Sequence, residues 1–565
     1  MRKKEINRKI QMQKNLKANW YIPFSAIAFF YLQIPATLIL HNALGEIPFV
    51  PILGLNLMFI FGIFAFLVSR SESIFKRLHQ EPVGLQILAF IASLGICWQG
   101  KLLHHETWLS DVRIQDFSQK IPVSTDVALM ISLFLAVAAF PFVYCSVLYM
   151  YSVVWKTIKL SILSERLPLF EIIIYIVTLL FTLYFIGFAY KFSNGFYDGQ
   201  YQKYDLIYVS DPPVLNHYSQ YLYLFHGEND LRQPLFAVFS APFVAAPYFI
   251  SKIFFFPVFK QAIFMNAVQV FMLFFGTFLL AKTLKLRPIH RVCFMVLFCS
   301  TYTYLLFILM MEQYIIGYFW LCIFLYQICE KQPVDNITLW GASGALITNL
   351  ILVPLLPPKL PLKNWKGWLK KLIRHGVEFL TVMVACCRLD ILRYFPQYYM
   401  YTHQFAQSVD KRTEWTETLL QYVAFLRNLF LAPPAEIIDN TAWRLKPIIV
   451  WSKIGTLVLV FVIISSLLNR KIKIIQISAF WVTFSMIILI FVGWGGYENG
   501  LILYSLYFGW AFFILLFQLL NTIGEKLKTP YWLPVVCAGL ALALFSINFP
   551  AIQEMVNFMI AAYPV

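Results

Sequence analysis

The segment 195–201, Gly-Phe-Tyr-Asp-Gly-Gln-Tyr, carries the strongest local signal for chemistry in this chain. Asp198 lies between glycines and aromatic rings, directly after an apolar run that ends near Tyr190. A carboxylate that is partly desolvated at a water–lipid boundary gains proton affinity, which suits it to general-base work. The alternative is a solvated turn whose rings anchor at the membrane interface, as in many membrane proteins.

The polar segment continues to residue 233 and contains further charged residues. Asp211 precedes two prolines, and Arg232 lies just before the apolar stretch that begins at Pro234. A guanidinium at this boundary can bind a phosphate through two parallel hydrogen bonds, although contact with a lipid headgroup is an equal alternative. Carboxylates in such a loop are also the ligands that hard divalent cations prefer. Three other acidic residues favour an ordinary acidic surface: Asp205, Glu228 and Asp230.

Two more acidic positions interrupt apolar runs. Glu312 and Gln313 separate two runs with almost no loop between them. An ionisable side chain so close to hydrocarbon is costly, which favours function over a simple interfacial turn. Glu498 and Asn499 follow a glycine pair and begin a late run, where helix capping alone would explain them.

The remaining motifs carry weaker signals. Arg388, Asp390 and Arg393 favour a structural ion pair over an anion site. His104-His105-Glu106 lacks a third metal ligand, and no Walker loop, dinucleotide-binding glycine pattern or serine nucleophile elbow occurs. Any chemistry therefore draws its energy from something other than a bound nucleoside triphosphate.

Composition identifies the kind of protein that must position these residues. Hydrophobic residues make up 60% of the 565 residues and charged residues only 13%, which indicates an integral membrane protein rather than several soluble domains. The net charge of +17 comes from basic residues in short connections, where they set topology and meet anionic lipids, so nucleic-acid binding is not expected. The nine cysteines lie mostly inside apolar runs and predict neither a disulfide framework nor a zinc site.

Apolar runs of about 20 residues predict an all-α protein with about thirteen transmembrane helices. The predicted spans are 20–40, 49–69, 84–100, 127–155, 168–190, 262–284, 292–311, 313–329, 376–395, 447–468, 474–494, 499–521 and 531–549. The basic N-terminal tail predicts a cytoplasmic start. Alternate crossing then places four polar stretches on the outer face: 191–233, the Glu312 turn, 396–446 and the turn before Asn499.

Two further apolar segments are predicted to be re-entrant or interfacial elements. Segment 234–258 contains four prolines, which are expected to break its helix. Segment 337–357 contains Gly341, Gly344, Asn349 and Pro354. Treating it as non-spanning keeps the basic stretch 359–375 on the cytoplasmic side.

The order of these features resembles the core module of GT-C glycosyltransferases. The resemblance rests on an apolar run, a loop with Tyr-Asp-Gly-Gln-Tyr, an Asp-Pro pair and an Arg-Gln-Pro-Leu-Phe entry into the membrane. It implies an inverting transfer of sugar from a polyprenyl-phosphate donor to a glycan or lipid acceptor. Asp198 would be the base, Glu312 the second acidic residue and Arg232 the phosphate ligand. The other expected substrate contacts are Tyr197, Gln200, Asp211, Glu498 and Asn499.

By this resemblance, residues 168–565 form the catalytic module and residues 1–167 a four-span extension. A divalent cation, Mg²⁺ or Mn²⁺, would have Asp198 and Glu312 as candidate ligands. The expected location is a bacterial plasma membrane. A transporter or flippase of a lipid-linked or anionic substrate is the alternative, and a non-catalytic scaffold is a third; transporters usually place ionisable residues near the midplane and show internal repeats.

Overall fold

The computed structural model describes residues 81–110, 125–163, 165, 167–197, 206–208, 233–330, 334, 336–356, 363–385, 415–446, 451–491 and 499–565. Within these ranges the chain is helical nearly throughout and includes a two-stranded hairpin. It divides into two compact units. The first comprises Met1–Trp155, Tyr218–Phe254 and Pro358–Phe395, and the second comprises Lys156–His217, Phe255–Pro357 and Pro396–Val565.

Regular elements are numbered here in chain order. The α-helices are α1 (Val83–Ser110), α2 (Thr125–Leu163), α3 (Leu169–Phe192), α4 (Phe236–Ile253), α5 (Val258–Thr283), α6 (Pro288–Cys299), α7 (Tyr302–Leu309), α8 (Gln313–Cys329), α9 (Asn336–Ala345), α10 (Trp365–Ala385), α11 (Trp415–Asn428), α12 (Lys453–Leu468), α13 (Lys473–Met486), α14 (Ser505–Leu527) and α15 (Trp532–Ala562). The strands are β1 (Ala435–Ile438) and β2 (Ala442–Leu445). Short 3-10 helices cover Asn194–Phe196, Ile347–Leu355 and Asn499–Tyr504, and a π-helical turn covers Ile487–Phe491.

Five helices in the described ranges are long and apolar enough to cross a membrane. They are Leu169–Phe192, Val258–Thr283, Lys473–Phe491, Leu501–Leu527 and Trp532–Ala562. A sixth candidate is the pair α6 and α7, which is bent by 67° at its break. These apolar helices indicate an all-α, membrane-embedded protein. The predicted spans 20–40 and 49–69 lie in the part of the chain that the structure leaves undescribed.

The surface of these helices supports a lipid environment. One side of α3 exposes a continuous set of large apolar side chains, among them Ile173, Ile176, Val177, Leu180 and Tyr184. In water a patch of this kind would drive aggregation, whereas hydrocarbon solvates it without loss. The bilayer is therefore the natural solvent of α3.

Helix α4 corrects one prediction. Pro242 and Pro247 lie inside a continuous helix, although the prolines of this segment were expected to break it. Tyr151 on α2 donates a hydrogen bond to the carbonyl of Pro242, and Gly95 on α1 lets the two helices approach closely at Ala245. Membrane helices tolerate proline when neighbouring helices satisfy the backbone groups around it.

The predicted span 292–311 is also corrected, because it is two helices. Thr301 begins α7 as its N-cap and accepts a hydrogen bond from the Tyr304 amide. Asn548 on α15 donates to the carbonyl oxygens of Ser300 (2.9 Å) and Phe430 (2.7 Å). The backbone groups that the break leaves open are thus satisfied by segments distant in sequence.

Three further segments differ in detail from the sequence prediction. The described part of the predicted span 376–395 belongs to α10, which begins at Trp365 inside the basic stretch. The predicted outer loop 396–446 contains α11 and the β1–β2 hairpin. Segment 337–357 forms α9 followed by the 3-10 helix Ile347–Leu355, and Asn349 folds back to donate to Ala342 O (2.9 Å). The ten residues of α9 reach only about 15 Å, half of a hydrocarbon layer.

Candidate functional site

Two predicted site residues, Tyr197 and Glu312, have described side chains, and both are buried. Tyr197 is 4% exposed and Glu312 is 2% exposed. Asn499 begins a 3-10 helix. Five predicted site residues lie outside the described ranges: Asp198, Gln200, Asp211, Arg232 and Glu498.

Glu312 lies at the start of α8, in the short connection from α7. Its backbone N–H donates to Oε1 of Gln269 on α5, at 3.1 Å. Its carboxylate makes no capping hydrogen bond to the first turn of α8, so local capping does not explain an acidic residue here. The positive end of the α8 dipole favours a carboxylate at this place. An acidic side chain buried among apolar helices is a candidate functional residue by default.

Tyr190 connects the Glu312 turn to the segment that precedes Asp198. Its hydroxyl donates to Leu309 O (2.8 Å), and its ring stacks on Phe196 with centroids 5.7 Å apart. The Tyr197 ring lies against the same tyrosine, at 5.6 Å. The two predicted site segments therefore share one aromatic support.

Asn266 on α5 reinforces this support. Its Nδ2 donates to the Tyr190 hydroxyl (3.0 Å) and to Ile308 O (2.8 Å). Asn266 lies one helical turn before Gln269, so a single face of α5 holds both Tyr190 and the backbone of Glu312. Sequence analysis missed this pair, although two amide residues three positions apart within an apolar run are a recognisable signal.

The C-terminal residues hold the start of the first polar segment. The Ser193 hydroxyl lies within hydrogen-bond distance of Met559 O (2.8 Å) and Tyr563 O (2.9 Å). The Asn194 amide donates to Tyr563 O at 3.1 Å. Gly195 fits this close approach, since a Cβ there would lie 3.1 Å from Cβ of Tyr563 and would displace the flexible end of Met559.

Residues 206–208 of the same polar segment pack on the hairpin. The Tyr208 amide donates to Trp443 O (2.9 Å), and the Trp443 amide donates to Leu206 O (2.8 Å). Nε1 of Trp443 donates to the Tyr208 hydroxyl (3.1 Å), which lies 2.7 Å from the hydroxyl of Tyr302 at the start of α7. Burial raises the pKa of Tyr208 to about 12, so its hydroxyl stays protonated. The polar segment is thus attached to α7, the helix that leads to Glu312.

A second polar cluster lies at the other end of α3. Arg291 on α6 forms two parallel hydrogen bonds to Glu171, each 2.9 Å, and both side chains are almost fully buried (1% and 0% exposed). Glu165 accepts from Arg291 (2.7 Å) and Lys282 (2.9 Å). The hydrogen bond from Lys282 and the charge of Arg291 hold the pKa of Glu165 below its usual value.

This ion-pair cluster is structural rather than part of the candidate site. Glu171 precedes Tyr190 by nineteen residues (190 − 171), which is roughly 28 Å along a helix. The cluster joins α3, α5 and α6 at the end opposite to Glu312. The sequence alone does not pair Arg291 with Glu171, because the two residues lie 120 positions apart.

Metal ligands do not gather in the described part of the chain. Among those residues, no group of three or more His, Cys, Asp or Glu side chains could hold a metal ion. Glu312 is described and Asp198 is not, so a cation between the two stays a prediction.

No protein-family model matches the sequence, and no curated protein or solved structure is similar enough to count as a match. The resemblance to GT-C glycosyltransferases therefore rests on the quoted motifs. The function is argued below from those motifs and from the geometry around Glu312.

Proposed function

We propose that this chain is a GT-C-type glycosyltransferase. It transfers a sugar from a polyprenyl-phosphate donor to a glycan or lipid acceptor of the cell envelope, on the outer face of a bacterial plasma membrane. The observation that carries the proposal is the burial of Glu312 at the end of a connection that shares a support with the segment directly preceding Asp198. Tyr190 binds Leu309 O in that connection and packs against the rings of Phe196 and Tyr197.

The proposed reaction uses residues of both segments. An acceptor hydroxyl oxygen attacks the anomeric carbon, the bond from that carbon to the phosphate oxygen breaks, and Asp198 takes the hydroxyl proton. Arg232 stabilises the charge on the departing phosphate. Glu312 is the second acidic residue, and the oxygen ligands of Asp198 and Glu312 suit Mg²⁺ or Mn²⁺, which would neutralise phosphate charge when bound.

The distribution of basic residues supports an outward-facing site. Lys282, Lys285 and Arg287 lie at the α5–α6 connection, at the end of α3 opposite to Tyr190. Connections rich in lysine and arginine lie preferentially in the cytoplasm. Glu312 and Tyr197 lie at the opposite end of these helices, where the sugar group of a lipid-linked donor would be presented.

The test is a complementation experiment with an isosteric pair of variants. Cells that lack the protein are supplied with the wild type, Asp198→Asn or Glu312→Gln, and envelope glycans are analysed by mass spectrometry. We expect Asp198→Asn to lower sugar transfer by on the order of 10²-fold or more, since a general base contributes that much. Glu312→Gln is expected to lower transfer as well, because it preserves the side-chain shape and the backbone bond to Gln269 but removes the charge.

Asp439→Asn provides the matched control. Asp439 is an exposed acid in the turn of the hairpin, in a left-handed conformation (φ 49°) that asparagine also adopts. It should leave sugar transfer unchanged. Normal transfer by an equally expressed Asp198→Asn protein would refute the proposal. Counterflow of a lipid-linked substrate without any covalent change would favour a transporter instead.

A further inference from the structure

Helix α10 is amphipathic and exposes two different faces. Phe379 and His375 are buried, whereas most other side chains between residues 365 and 380 are exposed. The exposed side chains fall into one apolar stripe and one basic stripe that run side by side along the helix. This arrangement differs from α3, where the exposed side chains before Lys191 are apolar.

The apolar stripe recurs at spacings of three and four residues, which is the period of one helix face. Its members are Trp365, Leu369, Leu372, Ile373, Val377 and Leu380. Each of these side chains is at least 44% exposed. Six large apolar side chains in one continuous stripe form a surface that water does not tolerate well and that acyl chains do.

The basic stripe consists of Lys366, Lys370 and Arg374, with Lys363 one turn before them. All four are exposed. Glu378 continues the stripe, and its Oε1 accepts a hydrogen bond from Nε of Arg374 at 3.0 Å. The stripe therefore presents a net positive charge next to the apolar stripe.

We propose that α10 lies in the plane of the membrane and binds anionic lipid headgroups of the cytoplasmic leaflet. The apolar stripe enters the boundary between headgroups and acyl chains, and the adjacent cations contact the phosphates. Charge complementarity identifies the partner, since a positive stripe bordering an apolar one matches an anionic headgroup layer above its hydrocarbon. The chain also contains helices suited to cross a bilayer, so a membrane is the expected environment of this protein.

A transmembrane position for the first half of α10 is disfavoured by the same residues. Lys366, Lys370 and Arg374 recur on successive turns of the first half of the helix. Burying these cations in hydrocarbon would cost several kcal/mol in total, whereas at the interface they remain hydrated. The proposal is independent of sugar transfer and goes beyond it.

The test places a fluorescent amino acid at Leu372 of the full chain, in nanodiscs of phosphatidylcholine with or without phosphatidylglycerol. Lipids that carry a quencher either near the headgroup or near the end of the acyl chain report the depth of the probe. We expect strong quenching by the quencher near the headgroup and weak quenching by the one near the end of the acyl chain. Quenching should also be stronger when the quencher is attached to phosphatidylglycerol than when it is attached to phosphatidylcholine. The same probe at Lys370 should be quenched less than at Leu372.

The triple variant Lys366→Gln, Lys370→Gln, Arg374→Gln tests the headgroup contact. It should reduce the preference for phosphatidylglycerol at residue 372 by roughly 25-fold to 125-fold, since each cation near an anionic surface contributes about fivefold and Arg374 contributes less because it pairs with Glu378. The control variant removes three exposed cations elsewhere in the chain, Arg470, Lys471 and Lys526, and should leave quenching at residue 372 unchanged.

Three results would overturn the proposal. Preferential quenching by the deep quencher would mean that α10 crosses the membrane. Absence of lipid quenching in both nanodiscs would mean that protein covers the stripe, either a second copy of the chain or another partner. An unchanged lipid preference in the triple variant, with shallow quenching intact, would refute the anionic contact.

Discussion

Removing the charge of Arg291 should destabilise the protein far more than removing an exposed charge. Arg291 and Glu171 are 1% and 0% exposed and share two hydrogen bonds of 2.9 Å. Arg291→Met leaves the Glu171 carboxylate without its bidentate partner. Breaking a buried pair in this way costs about 3–5 kcal/mol.

The double variant separates lost charge pairing from lost packing. In Glu171→Met, Arg291→Met both charges are replaced by side chains of similar volume, and well-packed apolar replacements of a buried pair are often neutral or stabilising by about 1–4 kcal/mol. Part of that gain is forfeited here because Arg291 also donates to Glu165 and to Leu286 O. We therefore expect the double variant to be more stable than Arg291→Met, which is a coupling that a double-mutant cycle measures directly.

The assay is unfolding of the purified protein in mixed micelles by increasing mole fraction of SDS, which yields relative free energies. Arg374→Gln is the matched control, because Arg374 also pairs with a glutamate but is 71% exposed. An exposed pair of this spacing contributes about 0.3–0.5 kcal/mol. If the double variant proves as unstable as Arg291→Met, lost packing causes the instability and the argument from uncompensated charge is wrong.

Three more perturbations have expected outcomes. First, the pKa of Glu165 is lower in the folded protein than its unfolded value of 4.5, so its ion pairs stabilise the fold above pH 4.5. This stabilisation is lost as the pH falls through the lower folded pKa. The thermal unfolding temperature should therefore fall more steeply between pH 7 and pH 3 for the wild type than for Glu165→Gln. Second, Gly455→Ala would push a Cβ into the carbonyl oxygen of Val423, where α11 crosses α12. It should destabilise the protein by about 1–3 kcal/mol in the SDS assay. Gly539→Ala, whose new Cβ would meet no atom within 4 Å, should not destabilise it. Third, Asn548→Leu leaves the Ser300 and Phe430 carbonyls and the Ala432 amide without their side-chain partner, and should cost about 2–5 kcal/mol by the same measurement.

Hydropathy alone located several of the long helices. The predicted spans 168–190, 262–284 and 531–549 coincide with α3, α5 and the first part of α15. These helices have apolar residues on all sides, so the length of an apolar run is enough to locate them in the sequence. The hairpin was missed, although Asp439 and Asn440 both adopt positive φ between two short strands, a turn that such residues favour.

Features that depend on distant partners were not predictable. At the break between α6 and α7, the Ser300 carbonyl is satisfied by Asn548, which lies 248 residues away. The local signal, an N-cap threonine at position 301, does not reveal that partner. The pairing of Glu171 with Arg291 was not predictable for the same reason, because the two residues lie 120 positions apart. At the candidate site, Glu312 was identified from the cost of its charge near hydrocarbon, whereas its support by Asn266 and Gln269 needed the packing of α5 against the α7–α8 connection.

The break between α6 and α7 has a consequence for biosynthesis. Its carbonyl at Ser300 is satisfied by Asn548, and Tyr302 N–H donates to Phe430 O, so the partners are made long after the break itself leaves the ribosome. In hydrocarbon no water is available to form a hydrogen bond with an unpaired backbone group. The nascent chain must therefore keep residues 300–302 shielded, in contact with the insertion machinery or with trapped water, until α15 arrives. Membrane integration and tertiary assembly are thus coupled in this protein, and α15 completes the interior of helices that are made well before it.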